Sequence, residues 1–91
     1  MANDDELRRC REAMDVCNTR LAAVLHERAS LARAIGKWKR QHGMALADPA
    51  REAAMLVRVT ELANAAGFGA EALARIFTVV FAESRVVVER E

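Results

Sequence analysis

The chain has 91 residues, 53% of them hydrophobic, and its fourteen basic and thirteen acidic residues leave a formal net charge of +1. This length allows one domain at most, and the near-neutral charge argues against a general nucleic-acid or membrane-surface binder. No apolar run approaches the roughly 20 residues that span a bilayer, and the polar, acidic start is unlike a secretory signal. We therefore expect a single domain over residues 1–91, located in the cytoplasm.

The composition predicts an all-α fold, because Ala, Leu, Arg, Glu and Val dominate and there is a single Pro. Two clusters of helix-breaking residues, at positions 43–49 and 67–69, divide the chain into three predicted helices.

The first predicted helix covers residues 5–42 and carries two rows of apolar side chains at seven-residue spacing. One row is Leu7, Met14, Leu21, position 28 and Ile35, and the other is Cys10, Cys17, Val24, Leu31 and Trp38. We call these two rows the seam, since they are typical of a coiled coil. The two thiols are expected to be reduced and buried within it. Such a helix is about 57 Å long, whereas a globule of this size is roughly 30 Å across. A second copy of the chain is therefore expected to cover the rest of the seam.

The second helix is predicted to begin with Asp48 as its N-cap and Pro49 in its first turn. Its apolar face comprises Met55, Leu56, Val59, Leu62, Ala63 and Ala66, and Gly67 is expected to end it in the left-handed conformation. The third helix is predicted from Ala70 to near the end. Its buried face comprises Leu73, Ile76, Phe77, Val80, Phe81, Val87 and Val88.

Polar residues interrupt these apolar faces. Arg28 stands in the seam, where it binds an anion, pairs with a core carboxylate such as Glu52, or lies at the edge of the seam if the helix register differs. Lys39 shares its helix face about 16 Å away, and long side chains at that distance can converge on a small anion. Arg11 lies about 25 Å from Arg28 and can reach the same ligand only from an antiparallel partner helix. Ser84 interrupts the third helix, where its hydroxyl either binds a ligand or bonds to the carbonyl one turn back.

No other chemistry is evident in the sequence. His26 and His42 lack metal-ligand spacing, and there is no phosphate-binding loop or nucleophile triad. The pattern indicates cations that converge on an anion, without a metal or cofactor.

Four segments, with the intervals between them, resemble the all-helical chorismate mutases across residues 7–88. They are residues 7–11, LAAVLHERASLARAIGKWK at 21–39, ADPARE at 47–52 and IFTVVFAES at 76–84. The resemblance implies an intertwined homodimer of three-helix chains that converts chorismate to prephenate in the pathway to phenylalanine and tyrosine. It also implies the substrate-binding residues of one subunit: Arg28, Lys39, Asp48, Arg51, Glu52, Ser84 and position 88. Arg11 is then supplied by the other subunit.

The resemblance assigns catalytic roles to four of these residues. Arg11 and Arg28 would clamp the two substrate carboxylates, and Glu52 would accept a hydrogen bond from the ring hydroxyl. Lys39 would face the ether oxygen, on which negative charge grows as the C–O bond breaks.

One position departs from the family pattern. Members usually carry Gln or Glu one turn beyond the serine, where this chain has Val88. The departure leaves two alternatives open. One is a sister enzyme that acts on isochorismate, with pyruvate elimination, or on aminodeoxychorismate. The other is a weakly active regulatory dimer that needs a shikimate-pathway enzyme as its partner.

Overall fold

In a computed structural model, which describes residues 2–90 and their side chains from Asp4 onward, the chain is all-α. Helix α1 is Ala2–Gln41, α2 is Pro49–Thr60 and α3 is Ala70–Glu89. The predicted order of one long helix followed by two shorter ones is confirmed. None of the described helices is both long enough and apolar enough to cross a membrane.

The chain divides into two compact units, Met1–Ser30 and Leu31–Glu91. The described part of the first unit is the amino-terminal part of α1. Its seam residues are exposed: Leu7 is 48% exposed, and Met14, Leu21 and Val24 are 58–61% exposed. Cys10 and Cys17 are free thiols and also exposed, so the expectation that they are buried is wrong for the single chain. The seam of this unit thus combines the spacing of a coiled-coil surface with largely exposed side chains.

The second unit begins with the carboxyl-terminal end of α1, which is set by Gly43. This glycine has a φ of +64°, the left-handed conformation that glycine adopts without steric cost. The Met44 N–H donates to the Lys39 carbonyl at 2.9 Å, and the Gly43 N–H donates to the Arg40 carbonyl at 3.4 Å. This pair of hydrogen bonds is the Schellman arrangement, which satisfies two of the last carbonyls of the helix.

Helices α2 and α3 pack against each other in the second unit. Phe81, 6% exposed, is the centre of this core, and the Phe77 ring meets it edge-on with centroids 6.1 Å apart. Most of the predicted faces are half-buried around it: Met55, Leu56, Val59, Leu73, Phe77, Val80, Val87 and Val88. Ile76 is an exception, since 42% of it is exposed.

The second helix is shorter than predicted, because Asn64 shapes the loop that follows it. The Asn64 side chain accepts a hydrogen bond from the Ala66 N–H at 2.8 Å, and its own N–H donates to the Phe68 carbonyl at 2.9 Å. Asparagine often offers the backbone such an alternative to the helix. Leu62, Ala63 and Ala66 therefore lie outside α2 and are exposed. The left-handed glycine predicted at Gly67 is wrong, since the described backbone has its positive-φ glycine at position 43.

Candidate active site

The predicted site residues are distributed between the two units. Arg11 and Arg28 belong to the first unit. The other six belong to the second and occupy the end of α1, the start of α2 and the last turns of α3: Lys39, Asp48, Arg51, Glu52, Ser84 and Val88.

Lys39 lies beside the loop that leads into α2. It is half-buried, and its Nζ donates to the Leu46 carbonyl at 3.3 Å. An ammonium group carries three N–H donors, so this bond leaves donor capacity for an anionic acceptor. The bond holds the lysine next to the segment that carries the α2 residues of the site.

Asp48 begins α2 as predicted. Its Oδ1 accepts a hydrogen bond from the Arg51 N–H at 3.0 Å, and Pro49 is the first residue of the helix. This N-cap fixes the first turn of α2, from which Arg51 and Glu52 project. The Asp48 and Arg51 side chains are exposed, and Glu52 is half-buried.

Glu52 is paired with Arg85, a residue of α3 that the sequence pattern does not single out. The Arg85 Nη1 lies 2.6 Å from each of the two carboxylate oxygens of Glu52. A signal for this contact is present in the sequence, since Arg85 is a lone cation directly before three valines of α3. Its partner could not be identified in advance, because the two residues are 33 positions apart.

Ser84 makes the backbone hydrogen bond that is one of the two predicted alternatives for its hydroxyl. Its hydroxyl donates to the Val80 carbonyl at 2.7 Å, one turn back on α3. To donate to a ligand, the hydroxyl proton would have to leave this bond. Thr78 makes the same kind of bond to the Ala74 carbonyl, also at 2.7 Å.

Val88 joins the end of α3 to the end of α1. A Cβ added to Gly36 would lie 2.7 Å from the Val88 Cγ1, so the absence of a side chain at Gly36 makes room for the valine. The Arg40 Nη2 donates to the Val88 carbonyl at 2.7 Å. Lys39 lies between these two α1 contacts in sequence, and Arg85 is one turn before Val88 on α3. Together these contacts bring the lysine end of α1, the start of α2 and the last turns of α3 to one end of the second unit.

The two arginines of the first unit differ in exposure, Arg11 being exposed and Arg28 half-buried. Both lie on the continuous helix α1, seventeen residues or about 25 Å apart along its axis. At this separation one copy of the helix cannot direct both side chains at the same small ligand, so a site that uses both arginines would need a second copy.

The charges at this end of the second unit favour an anionic ligand. The cations Lys39, Arg51 and Arg85 stand with two carboxylates, of which Asp48 caps α2 and Glu52 is paired. Within residues 2–90, no group of three or more His, Cys, Asp or Glu side chains could hold a metal ion. The arrangement suits binding and orientation of an anion and electrostatic stabilisation of charge that develops on it.

Comparison with known proteins gives one family. The family model described as chorismate mutase type II matches residues 10–89, which is most of the chain. No curated protein matches the chain. The matched range contains all eight predicted site residues, the whole of α2 and α3, and α1 from Cys10 onward. The chain therefore belongs to the chorismate mutase type II family.

Proposed function

We propose that this chain is a chorismate mutase that works as a homodimer and converts chorismate to prephenate. The observation that carries the proposal is the meeting of three helix ends that bear Lys39, Glu52 and Val88 in a chain of this family. These helix ends carry a half-buried cation and a hydrogen-bond acceptor, which an intramolecular rearrangement of an anion needs.

The dimer is supported by the exposed seam. Its apolar side chains continue beyond the first unit, and Leu31, Ile35 and Trp38 are 52–58% exposed in the second. An apolar stripe of this extent, at heptad spacing, is typical of a helix that packs against another helix. A second copy would cover it, and an antiparallel α1 would bring its Arg11 towards the Arg28 of the first copy.

The proposed mechanism needs no covalent step. Arg28 of one subunit and Arg11 of the other would each bind a substrate carboxylate and hold the flexible substrate in its reactive folded shape. Lys39 would donate to the ether oxygen as the C–O bond breaks and the new C–C bond forms. Glu52 would accept from the ring hydroxyl, and Asp48, Arg51 and Ser84 would line the substrate. Stabilisation of the ether oxygen is greater in the transition state than in the ground state, so it raises kcat.

One observation favours a second candidate. Val88 has no polar atom and packs on Gly36, so it cannot donate to the ether oxygen. Loss of one such donor typically costs about 10²–10³ in rate. A site with this feature also suits a sister reaction, namely pyruvate elimination from isochorismate or a reaction of aminodeoxychorismate.

Identification of the products formed from chorismate, isochorismate and aminodeoxychorismate tests these candidates. We expect prephenate from chorismate. Lys39→Ala should lower kcat/KM by about 10²–10³-fold, whereas Lys37→Ala, an exposed neighbour on another face of α1, should retain activity. Prephenate formation that is insensitive to Lys39→Ala would contradict the mechanism.

Failure to turn over any of the three substrates would contradict an independent enzyme. Turnover that appears only after a shikimate-pathway enzyme is added would instead identify the regulatory dimer.

A further inference from the structure

Arg85 contacts a predicted site residue, although the resemblance to the family assigns no role to Arg85 itself. It links α3 to the first turn of α2 through the carboxylate of Glu52, inside the candidate site. We propose that Arg85 is a positioning residue, which holds the Glu52 carboxylate in the orientation that accepts the ring hydroxyl of the substrate. The proposal rests on the proposed function and adds to it a residue that would determine how well that hydroxyl is recognised.

The geometry leaves Glu52 able to serve the substrate. A single nitrogen, Nη1, lies 2.6 Å from both Oε1 and Oε2, so Arg85 uses one lone-pair site of each oxygen. A carboxylate offers about four such sites. The pair therefore orients the carboxylate through both of its oxygens, while lone pairs on the other side of the group can accept from a hydroxyl.

The exposure of the pair argues that stability is not its main contribution. The Arg85 side chain is 47% exposed and that of Glu52 is 32% exposed. Ion pairs with this much solvent contact contribute little to folding free energy. Positioning can nevertheless affect the reaction strongly, because a small displacement of a group that orients the substrate lowers the rate.

The position of Arg85 supports the same role. It follows Ser84 and precedes Val88 by one turn, and the Val88 carbonyl is bound by Arg40 of α1. The base of the arginine is thus fixed by an anchored helix end, and its planar guanidinium loses little freedom in the pair. A lysine there would keep the charge, but on a flexible stem without the rigid planar group that fixes the direction of the Nη1 donor.

The experiment compares chorismate with an analogue that lacks the ring hydroxyl. The hydroxyl takes no part in the bonds that break or form, so the analogue can still rearrange. We expect Arg85→Met to lower kcat/KM for chorismate by about 10–100-fold and to leave kcat/KM for the analogue near that of the wild type. Arg85→Lys should recover part of the loss, and Arg85→Met added to Glu52→Gln should lower activity no further.

Arg75→Met, an exposed arginine of the same helix, is the matched control and should change neither substrate. The Tm of Arg85→Met should lie within about 8 °C of the wild type; if that variant misfolds, Arg85→Lys gives the same comparison. Equal losses on both substrates would overturn the proposal and assign Arg85 to a substrate carboxylate. Unchanged kinetics would make it a surface ion pair. Wild-type protein that turns over neither substrate would refute the proposed function and this inference together.

Discussion

Both units of the chain carry apolar residues at helical spacing, but these residues differ in how exposed they are. In the first unit the seam residues Leu7, Met14, Leu21 and Val24 are 48–61% exposed. In the second, apolar residues at helical spacing on α2 and α3 meet around Phe81, which is 6% exposed. Both patterns predict burial, but only the second unit supplies the surface that achieves it. Helical periodicity thus identifies a face that is suited to burial, and in the proposed homodimer a second copy of the chain would cover the seam of the first unit.

The largest expected effect, on both dimer formation and activity, comes from charged substitutions in the seam of the first unit. Leu21→Glu together with Val24→Glu should place two charges in the proposed interface, where burial of unpaired charge is strongly unfavourable. We expect dissociation, loss of helix content and loss of all measurable activity. Light scattering and circular dichroism at micromolar concentration provide the measurements. His26→Glu, an exposed substitution outside the two seam rows, is the control and should remain dimeric.

A wild-type chain that scatters as a well-folded monomer would refute the dimer. A double variant that remains a stable dimer would show instead that another surface forms the interface.

The next effect concerns the arginines of the first unit. Arg11→Ala and Arg28→Ala should each lower kcat/KM by about 10²–10³-fold, because each removes a charged partner of a substrate carboxylate. A mixture of the two variants should regain activity. With random exchange about half of the dimers are mixed, and each has one intact site, so recovery should approach a quarter of the wild-type rate.

The control for this mixture is a mass measurement that verifies subunit exchange. Mixed dimers without recovered activity would contradict a site shared between subunits. Recovery would confirm that the exposed half of α1 serves its partner.

The features of the fold that the sequence predicts are local ones, and those that it leaves open depend on contacts between helices. Local signals predict the three helices, the Asp48 cap and the face around Phe81, since each depends on residues a few positions apart. The end of α2 is missed because one side chain, Asn64, competes with the helix for backbone hydrogen bonds. The Glu52–Arg85 pair and the Gly36–Val88 contact depend on how helices pack, which periodicity does not specify. In the sequence, Gly36 is only a residue of low helix propensity in the middle of α1. The structure shows that its missing side chain makes room for Val88.

A smaller effect, on the free energy of unfolding, is expected at the close contact between Gly36 and Val88. Gly36→Ala should lower stability by about 1–3 kcal/mol, because the new Cβ would stand 2.7 Å from the Val88 Cγ1 on a stiff, β-branched side chain. In a Val88→Ala background the same substitution should stabilise by up to about 1 kcal/mol, since alanine is the better helix former. Chemical denaturation of the four proteins measures both effects. Gly36→Ala that stabilises the wild type would mean that α3 yields easily at this point.

The smallest expected change tests the residue that sets this chain apart from its family pattern. Val88→Gln should raise kcat on chorismate by about tenfold and change KM less, because a donor to the ether oxygen binds more tightly as the C–O bond breaks. Gly36 presents bare backbone beneath this position, so the first carbons of glutamine can occupy the space that valine fills. The amide would then reach the region beside Lys39. Val88→Met is the matched control, since it has similar length and no donor, and its kcat should not rise. A gain shared by methionine would indicate a change in packing at the end of α3 and not a new hydrogen bond. An unchanged kcat in a folded Val88→Gln dimer, with impaired turnover of isochorismate or aminodeoxychorismate, would show that the valine shapes the site for one of those substrates.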